Sequence, residues 1–377
     1  MERRYELDSL RGLAALSVLL YHALATNSST LAAGLSLHPV DGMLANLLVY
    51  SPLHVVWLGG ESVWFFFVLS GFVLTKAATR PAFMWEAYFP SRALRLYLPV
   101  FAAVALAWLT YLYPHTLQPG MDPLLPVAYP PSHLLSDVTL LGGTSTSLGV
   151  LWSLQWEVVF SCALPIYLLV GRRWPVIGGL ASLVLCLAGW WWSNQAAMFL
   201  PMFLIGVVLA SKWDRISSAL AFMSSGRPWT HVVGVASLVV AWAGLSSYFL
   251  LGPWLGTSAR VVTVPLALVA ISAIICLAQT WPPLQRLLSV RPLTFLGKTS
   301  YSLYLVHLPL VVLFAFALSP GPLSAVMGCV VAFGVAIGFY FAVERPAHRL
   351  SRLVGARVRD SSRIETVVAV SMPADRR

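Results

Sequence analysis

Two ionisable residues stand inside the first apolar run of the chain, Arg11 and His22. In a helix the eleven-residue step between them makes close to three turns, so the side chains share one face, about 16 Å apart along the axis, roughly half the hydrocarbon thickness of a bilayer. Ionisable groups in a membrane helix are costly and face the bundle interior or a wet cavity. A cation near one surface and an imidazole deeper on the same stripe read as two stations of one substrate channel. Taken singly, Arg11 also fits an interface residue whose head snorkels to water, and His22 a hydrogen-bonded interior histidine. Asp8, just before them, fits a helix N-cap.

Further polar residues sit in or beside other apolar runs. Arg92 and Arg95 are three apart and so adjacent on a helical surface. Two guanidinium forks there suit phosphate, as they also suit lipid headgroups. Glu157 lies about two turns inside its run. An unpaired carboxylate would be costly at that depth, so it must be protonated or paired, and His22 is a candidate partner. Glu61 precedes a run containing Ser70 and Gly71, small residues that permit close helix contact. Tyr301, Tyr304 and His307 fall in one segment, with Tyr304 and His307 on one face. A packing network accounts for these as well as chemistry does.

The elements that must position these residues follow from composition. The chain has 377 residues, 58% hydrophobic and 10% charged, with mean hydropathy +0.79. A soluble domain carries about 25% charged residues. The expectation is an all-α integral membrane protein, because lipid leaves no water to satisfy open backbone. Apolar runs fall near 9–26, 55–76, 96–113, 149–170, 174–193, 196–211, 231–251, 259–280, 299–318 and 323–343, which predicts about ten transmembrane helices. The stretch 174–211 reads as two short helices or a bent pair around Ser193-Asn194-Gln195. No cleavable signal sequence is evident after Arg3 and Arg4. Cys162, Cys186, Cys276 and Cys329 lie in apolar runs without metal-like spacing and read as small buried hydrophobes.

Lys and Arg test that count independently. Ten spans place all of the 24 basic residues except Arg260 on one side of the membrane, which puts both termini in the cytoplasm. The net charge of +10 is thus topological and implies no nucleic-acid partner. Residues 114–148 form a proline-rich loop on the other side (Pro114, Pro119, Pro123, Pro126, Pro130, Pro131), either a lid over an outer site or a plain connector. Residues 1–350 form the membrane domain, and 351–377 a flexible Arg-rich cytoplasmic tail near anionic headgroups.

Taken in order, several segments resemble the acyltransferase-3 family of integral membrane O-acyltransferases. They are Leu7-Asp8-Ser9-Leu10-Arg11-Gly12-Leu13 running on to Tyr21-His22, Phe66-Phe67-Val68-Leu69-Ser70-Gly71-Phe72, Arg92-Ala93-Leu94-Arg95 and Leu151-Trp152-Ser153-Leu154-Gln155-Trp156-Glu157. Leu296-Gly297-Lys298-Thr299-Ser300-Tyr301-Ser302-Leu303-Tyr304-Leu305-Val306-His307 and Glu344-Arg345-Pro346 complete the set. No single piece is specific; the ordered set, from residue 7 to about 350, is. The resemblance implies ten spans with cytoplasmic ends and a plasma-membrane location. It implies transfer of an acyl group, often acetyl, from cytoplasmic acyl-CoA to a hydroxyl of a glycan (free or lipid-linked), a lipid or a small molecule. His22 matches the family's essential histidine and Arg92 with Arg95 its paired-arginine motif. Trp64 stands where members usually have an acidic residue, and Glu61, one turn earlier, is the candidate substitute. No appended hydrolase-like domain is seen.

This resemblance sets the expected chemistry. Acyl-CoA, with acetyl-CoA the first candidate, is a co-substrate; no tightly bound cofactor or metal is expected. Arg11, Arg92 and Arg95 would hold the polyanionic head, with Asp8, Glu61, Ser70, Tyr301, Tyr304 and His307 in support. His22 and Glu157 are the candidate catalytic residues, His22 either as general base or as an acylated relay. The competing class is a proton-coupled multi-pass transporter, which also places His, Glu and Arg in its spans but more often shows internal repeats and broken helices.

Overall fold

The structure, a computed structural model, describes residues 5–118, 121 and 125–371, with side chains to residue 361. Arg3, Arg4, Pro119, Pro123 and residues 372–377 lie outside that range. The described residues are helical and contain no strand.

Each of the ten apolar runs falls on a helix. These are α1 Tyr5–Asn27, α2 Gly60–Ala78, α3 Trp85–Thr110, α4 Leu151–Arg173, α5 Pro175–Trp191, α6 Gln195–Ser211, α7 Pro228–Leu245, α8 Ala259–Thr280, α9 Arg291–Leu318 and α10 Pro322–Phe339. Eight candidate spans among the described residues are long and apolar enough to cross a membrane. A ninth counts if α6 and the helix Trp213–Ala219, bent by 65°, form one broken span. α5, at 17 residues, is apolar but short. The count expected from sequence is therefore slightly high by this measure, because residues 174–211 divide into two short helices. They part at Ser193, whose φ of +52° no helix accepts, and Asn194 caps α6 by accepting from the Ala197 amide at 3.0 Å.

Without a hydrophobic drive between helices in lipid, contact depends on small residues that let backbones touch. α1 and α9 meet at Gly12 and Gly297. A Cβ on Gly12 would lie 2.6 Å from the Gly297 nitrogen, and one on Gly297 would strike the Asp8 carbonyl. Ser9 Oγ extends the seam by donating to the Leu288 carbonyl at 2.6 Å. Gly71 and Gly206 do the same for α2 and α6, facing the carbonyls of Phe203 and Val68. Close packing at Gly71 thus agrees with the sequence reading.

At the end of the bundle away from Tyr5, Asn27 to Gly60 is folded into two short helices and the 3-10 turn Pro52–Trp57. With Phe249 they make a small separate core around Trp57 and Leu58. His54 is fully buried there, stacked on Phe249 at 3.5 Å, and burial pushes its imidazole down to about 4. The proline-rich loop also carries structure, including a helix over Pro131–Thr139. Its buried Asp137 accepts from Tyr129 OH, from the Ser145 amide and from Ser145 Oγ, each at 2.6 Å.

Past α10 the chain makes a π-helical turn at Tyr340–Glu344 and runs on as α11, Arg345–Ser371, against α3. The residues from 351, read from sequence as a flexible tail, are helical here as far as Ser371. The four cysteines are free.

Candidate functional site

The glycine crossing sets the register of α1 against α9. Gly12 meets Gly297, and ten residues further along each helix His22 meets His307. Equal offsets mean the helices run parallel, with the histidines about 15 Å from the crossing. His22 Nδ1 lies 3.1 Å from His307 Nε2. Each ring also faces a carbonyl one turn back: His22 Nδ1 is 3.0 Å from the Val18 oxygen and His307 Nδ1 is 3.0 Å from the Leu303 oxygen. A carbonyl only accepts, so both Nδ1 atoms carry hydrogen in the neutral rings. His307 Nε2 is then an acceptor toward His22 Nδ1–H, and His22 Nε2 is left as a bare lone pair. Tautomers are thus assigned from fixed partners rather than from pattern.

The Tyr5 end of the bundle holds a cavity of about 590 Å³, within the range of small-molecule sites. Asp8 and Arg11 of α1, Ser70 of α2, Arg92 and Arg95 of α3 and Glu157 of α4 all line it, as do Tyr301 and Tyr304 of α9. Its lining includes the buried Ser153, Glu157 and Tyr304. Tyr304 OH lies 2.7 Å from Ser153 Oγ and donates to the Val150 carbonyl at 3.1 Å. Tyr301 OH donates to the Leu96 carbonyl at 3.1 Å.

The two arginines have different surroundings. Arg92 ion-pairs with Glu157 and donates from Nε to Ser161 Oγ at 3.1 Å; Ser70 Oγ donates to the same carboxylate at 2.7 Å. Glu157 is therefore paired with Arg92, and the expected pairing with His22 is not formed. The reason is register: Glu157 faces α3 across the cavity, while His22 faces α9. Arg95 has no hydrogen-bond or ion-pair partner among the described residues, and its side chain is exposed into the cavity. Arg11 lies 3.6 Å from Asp8.

A family model, the acyltransferase domain of acyltransferase family 3, matches residues 4–341. The chain belongs to this family. It is 26% identical to nodulation protein 10 of Rhizobium leguminosarum bv. viciae, over 44% of this chain and 54% of that protein. The match thus spans about half the length of that curated relative. No solved structure matches.

Family membership directs attention to where each expected residue lies. Arg11 and Tyr304 line the cavity, and the Tyr304 ring centre is 5.9 Å from that of His307, which lies beside His22. Glu61 does not line the cavity. It lies 3.5 Å from Arg260 at the opposite end, and the Arg260 guanidinium sits 3.4 Å from the ring centre of Tyr248, 4.5 Å from that of Trp190 and 5.7 Å from that of Trp64. Trp64 thus faces a cation with its ring, and Glu61, one turn earlier, lies against the same cation. Sequence reading took Arg260 as a lone outlier; a basic residue opposite all others, between aromatic-rich runs, was the available signal.

The cavity also uses residues assigned no role from sequence. Glu344 accepts from the Ser302 amide at 3.1 Å and from Ser302 Oγ at 2.6 Å, and lies 3.7 Å from His348. Lys298, Arg345 and Arg352 also line it. Only Glu344, Arg345 and Lys298 lay in segments marked by the resemblance; nothing in the pattern joined α11 to them.

Proposed function

We propose that this acyltransferase takes an acyl group, acetyl in the first instance, from cytoplasmic acyl-CoA and transfers it to a hydroxyl of a glycan, a lipid-linked glycan or a small molecule. The single observation that carries this reading is the His22–His307 pair, which leaves His22 Nε2 as a lone pair close to an arginine-lined cavity. The distribution of Lys and Arg supports a cytoplasmic Tyr5 end and C-terminus, and a plasma-membrane location goes with the family reading.

In this reading Arg95 binds the donor's phosphates bidentately, while Arg92, held by Glu157 and Ser161, shapes the wall beside it. The pantetheine arm follows the cavity toward Ser153 and Tyr304, carrying the thioester toward the histidines. Reaction requires the thioester carbon and the acceptor hydroxyl to meet near His22 Nε2. His22 Nε2 takes the hydroxyl proton as the oxygen attacks the carbonyl carbon. The C–S bond breaks, the CoA sulfur leaves as thiolate, and the proton on His22 returns to it. His307 is a positioning residue that orients the His22 ring by accepting from Nδ1–H, beside the Val18 carbonyl that fixes its tautomer. The test is transfer of label from radiolabelled acetyl-CoA into host lipid and glycan fractions by membranes holding the wild-type chain or His22→Ala. Label that needs His22 supports the reading; equal transfer by both overturns it. Trapping an acyl-histidine would replace the base with the relay.

A further inference from the structure

The charges around the cavity do not balance, and the surplus lies at one end. Six cations line it, Arg11, Arg92, Arg95, Lys298, Arg345 and Arg352, against the acids Asp8, Glu157 and Glu344. Glu157 is taken by Arg92, Asp8 faces Arg11, and Glu344 is held by Ser302 and His348. No carboxylate pairs with Arg95, Lys298, Arg345 or Arg352 among the described residues. Of these, Arg345 and Arg352 are exposed, next to the π-helical turn that precedes α11.

Arg345, His348 and Arg352 are spaced by three and four residues, so they form one face of α11 about 10 Å long. That face is fixed to the body of the site from two sides. The carboxylate of Glu344 bridges from Ser302 in α9 to His348, and Ser351, between His348 and Arg352, is buried against the same cavity. Gly355, one turn on, allows close contact with α3: a Cβ there would lie 2.5 Å from Ser91 Oγ. The basic face therefore forms part of the cavity wall and is no free surface helix seeking headgroups.

We propose that Arg345, His348 and Arg352 of α11, with Lys298 of α9, form a subsite for the 3′-phosphorylated nucleotide head of coenzyme A. This rests on the acyl-CoA reading above and extends it. The division of labour follows from position. Arg95, inside, meets the diphosphate, whereas the exposed face of α11 meets the 3′-phosphate, the group that distinguishes coenzyme A from its 3′-dephospho form. The planar fork of N–H donors on each arginine suits a terminal phosphate dianion.

The test uses calorimetric titration of the purified full-length protein with coenzyme A and with 3′-dephospho-coenzyme A, and acyl transfer from the acetyl form of each. The wild type is expected to bind coenzyme A about tenfold more tightly than the dephospho form, the worth of one charge-assisted hydrogen bond to phosphate. Arg345→Gln with Arg352→Gln should reduce that preference to within about twofold while leaving affinity for the dephospho form unchanged. A wild type that binds both forms equally overturns the subsite and leaves the acyl-CoA reading standing. A double variant that weakens both forms alike also overturns it, since that marks general electrostatics or misfolding. A folded wild type that binds neither form overturns the acyl-CoA reading itself.

Discussion

His22 Nδ1 lies 3.1 Å from His307 Nε2, and both rings are anchored to a carbonyl one turn back on their own helices. The pair exists because α1 and α9 are parallel and touch at Gly12 and Gly297, ten residues earlier on each. Replacing His307 removes the second acceptor of His22 Nδ1–H and with it the contact that orients the ring, while the Val18 carbonyl remains. His307→Phe should lower kcat about 10- to 100-fold, a fraction of the 10²–10⁴ that a positioned base contributes, with KM for acetyl-CoA unchanged. His307→Gln, whose amide oxygen can accept, should recover part of the rate. A rise in KM at constant kcat would place His307 in donor binding instead.

Arg92 and Arg95 should separate in their effects, although they are one motif in the sequence. Arg95→Gln is expected to raise KM for acetyl-CoA about tenfold with kcat and thermal stability retained, since it has no hydrogen-bond or ion-pair partner among the described residues to lose. Arg92→Gln should instead destabilise the fold by about 3 kcal/mol, because it strands Glu157. Adding Glu157→Gln should restore most of that loss. Thermal unfolding of the single and double variants checks this, and additive losses would mean that the two side chains are uncoupled.

The glycine crossing makes a sharper demand. Gly12→Val must force α1 and α9 apart, since a Cβ at that position lies 2.6 Å from backbone nitrogen. The expected result is loss of acyl transfer even in protein that still reaches the membrane, because the separation is passed along rigid helices to His22. Gly179→Ala, where a Cβ meets nothing within 4 Å, is the matched control and should be silent.

His54 provides a dependence of stability on pH. Its folded-state value of about 4 lies below the ordinary histidine value of 6.5. Between those values the unfolded chain binds the proton and the folded one does not, so stability falls as pH drops from about 6.5 toward 4. The loss attributable to this residue is at most about 3 kcal/mol, reduced where water reaches the ring. His54→Phe should flatten the melting-temperature profile across that window; an unchanged slope would mean that other groups cause it.

Much of the architecture was legible because it rests on period and composition. The ten apolar runs mark ten helices, and Arg92, Arg95, Glu157, Tyr301 and Tyr304, each named from its motif, line one cavity. What could not be read are relations between helices of unrelated sequence position. Glu157 chose Arg92 over His22 because α4 packs toward α3, and no spacing within a helix encodes that choice. His307 was named, but as support. Its role follows from an equal ten-residue offset to two glycines, visible only once Gly12 is known to touch Gly297. Arg352 was assigned to a tail by its charge, since an Arg-rich helix that closes a polar cavity and one that lies on headgroups have the same composition.

The most direct test of the account is transfer of radiolabel from acetyl-CoA by membranes containing equal amounts of wild-type and His22→Ala protein, followed across lipid, glycan and small-molecule fractions. The account requires label to enter one hydroxyl-bearing fraction with the wild type and to fall to background with His22→Ala, while binding of coenzyme A is retained by both. Transfer at the wild-type rate by His22→Ala would contradict it.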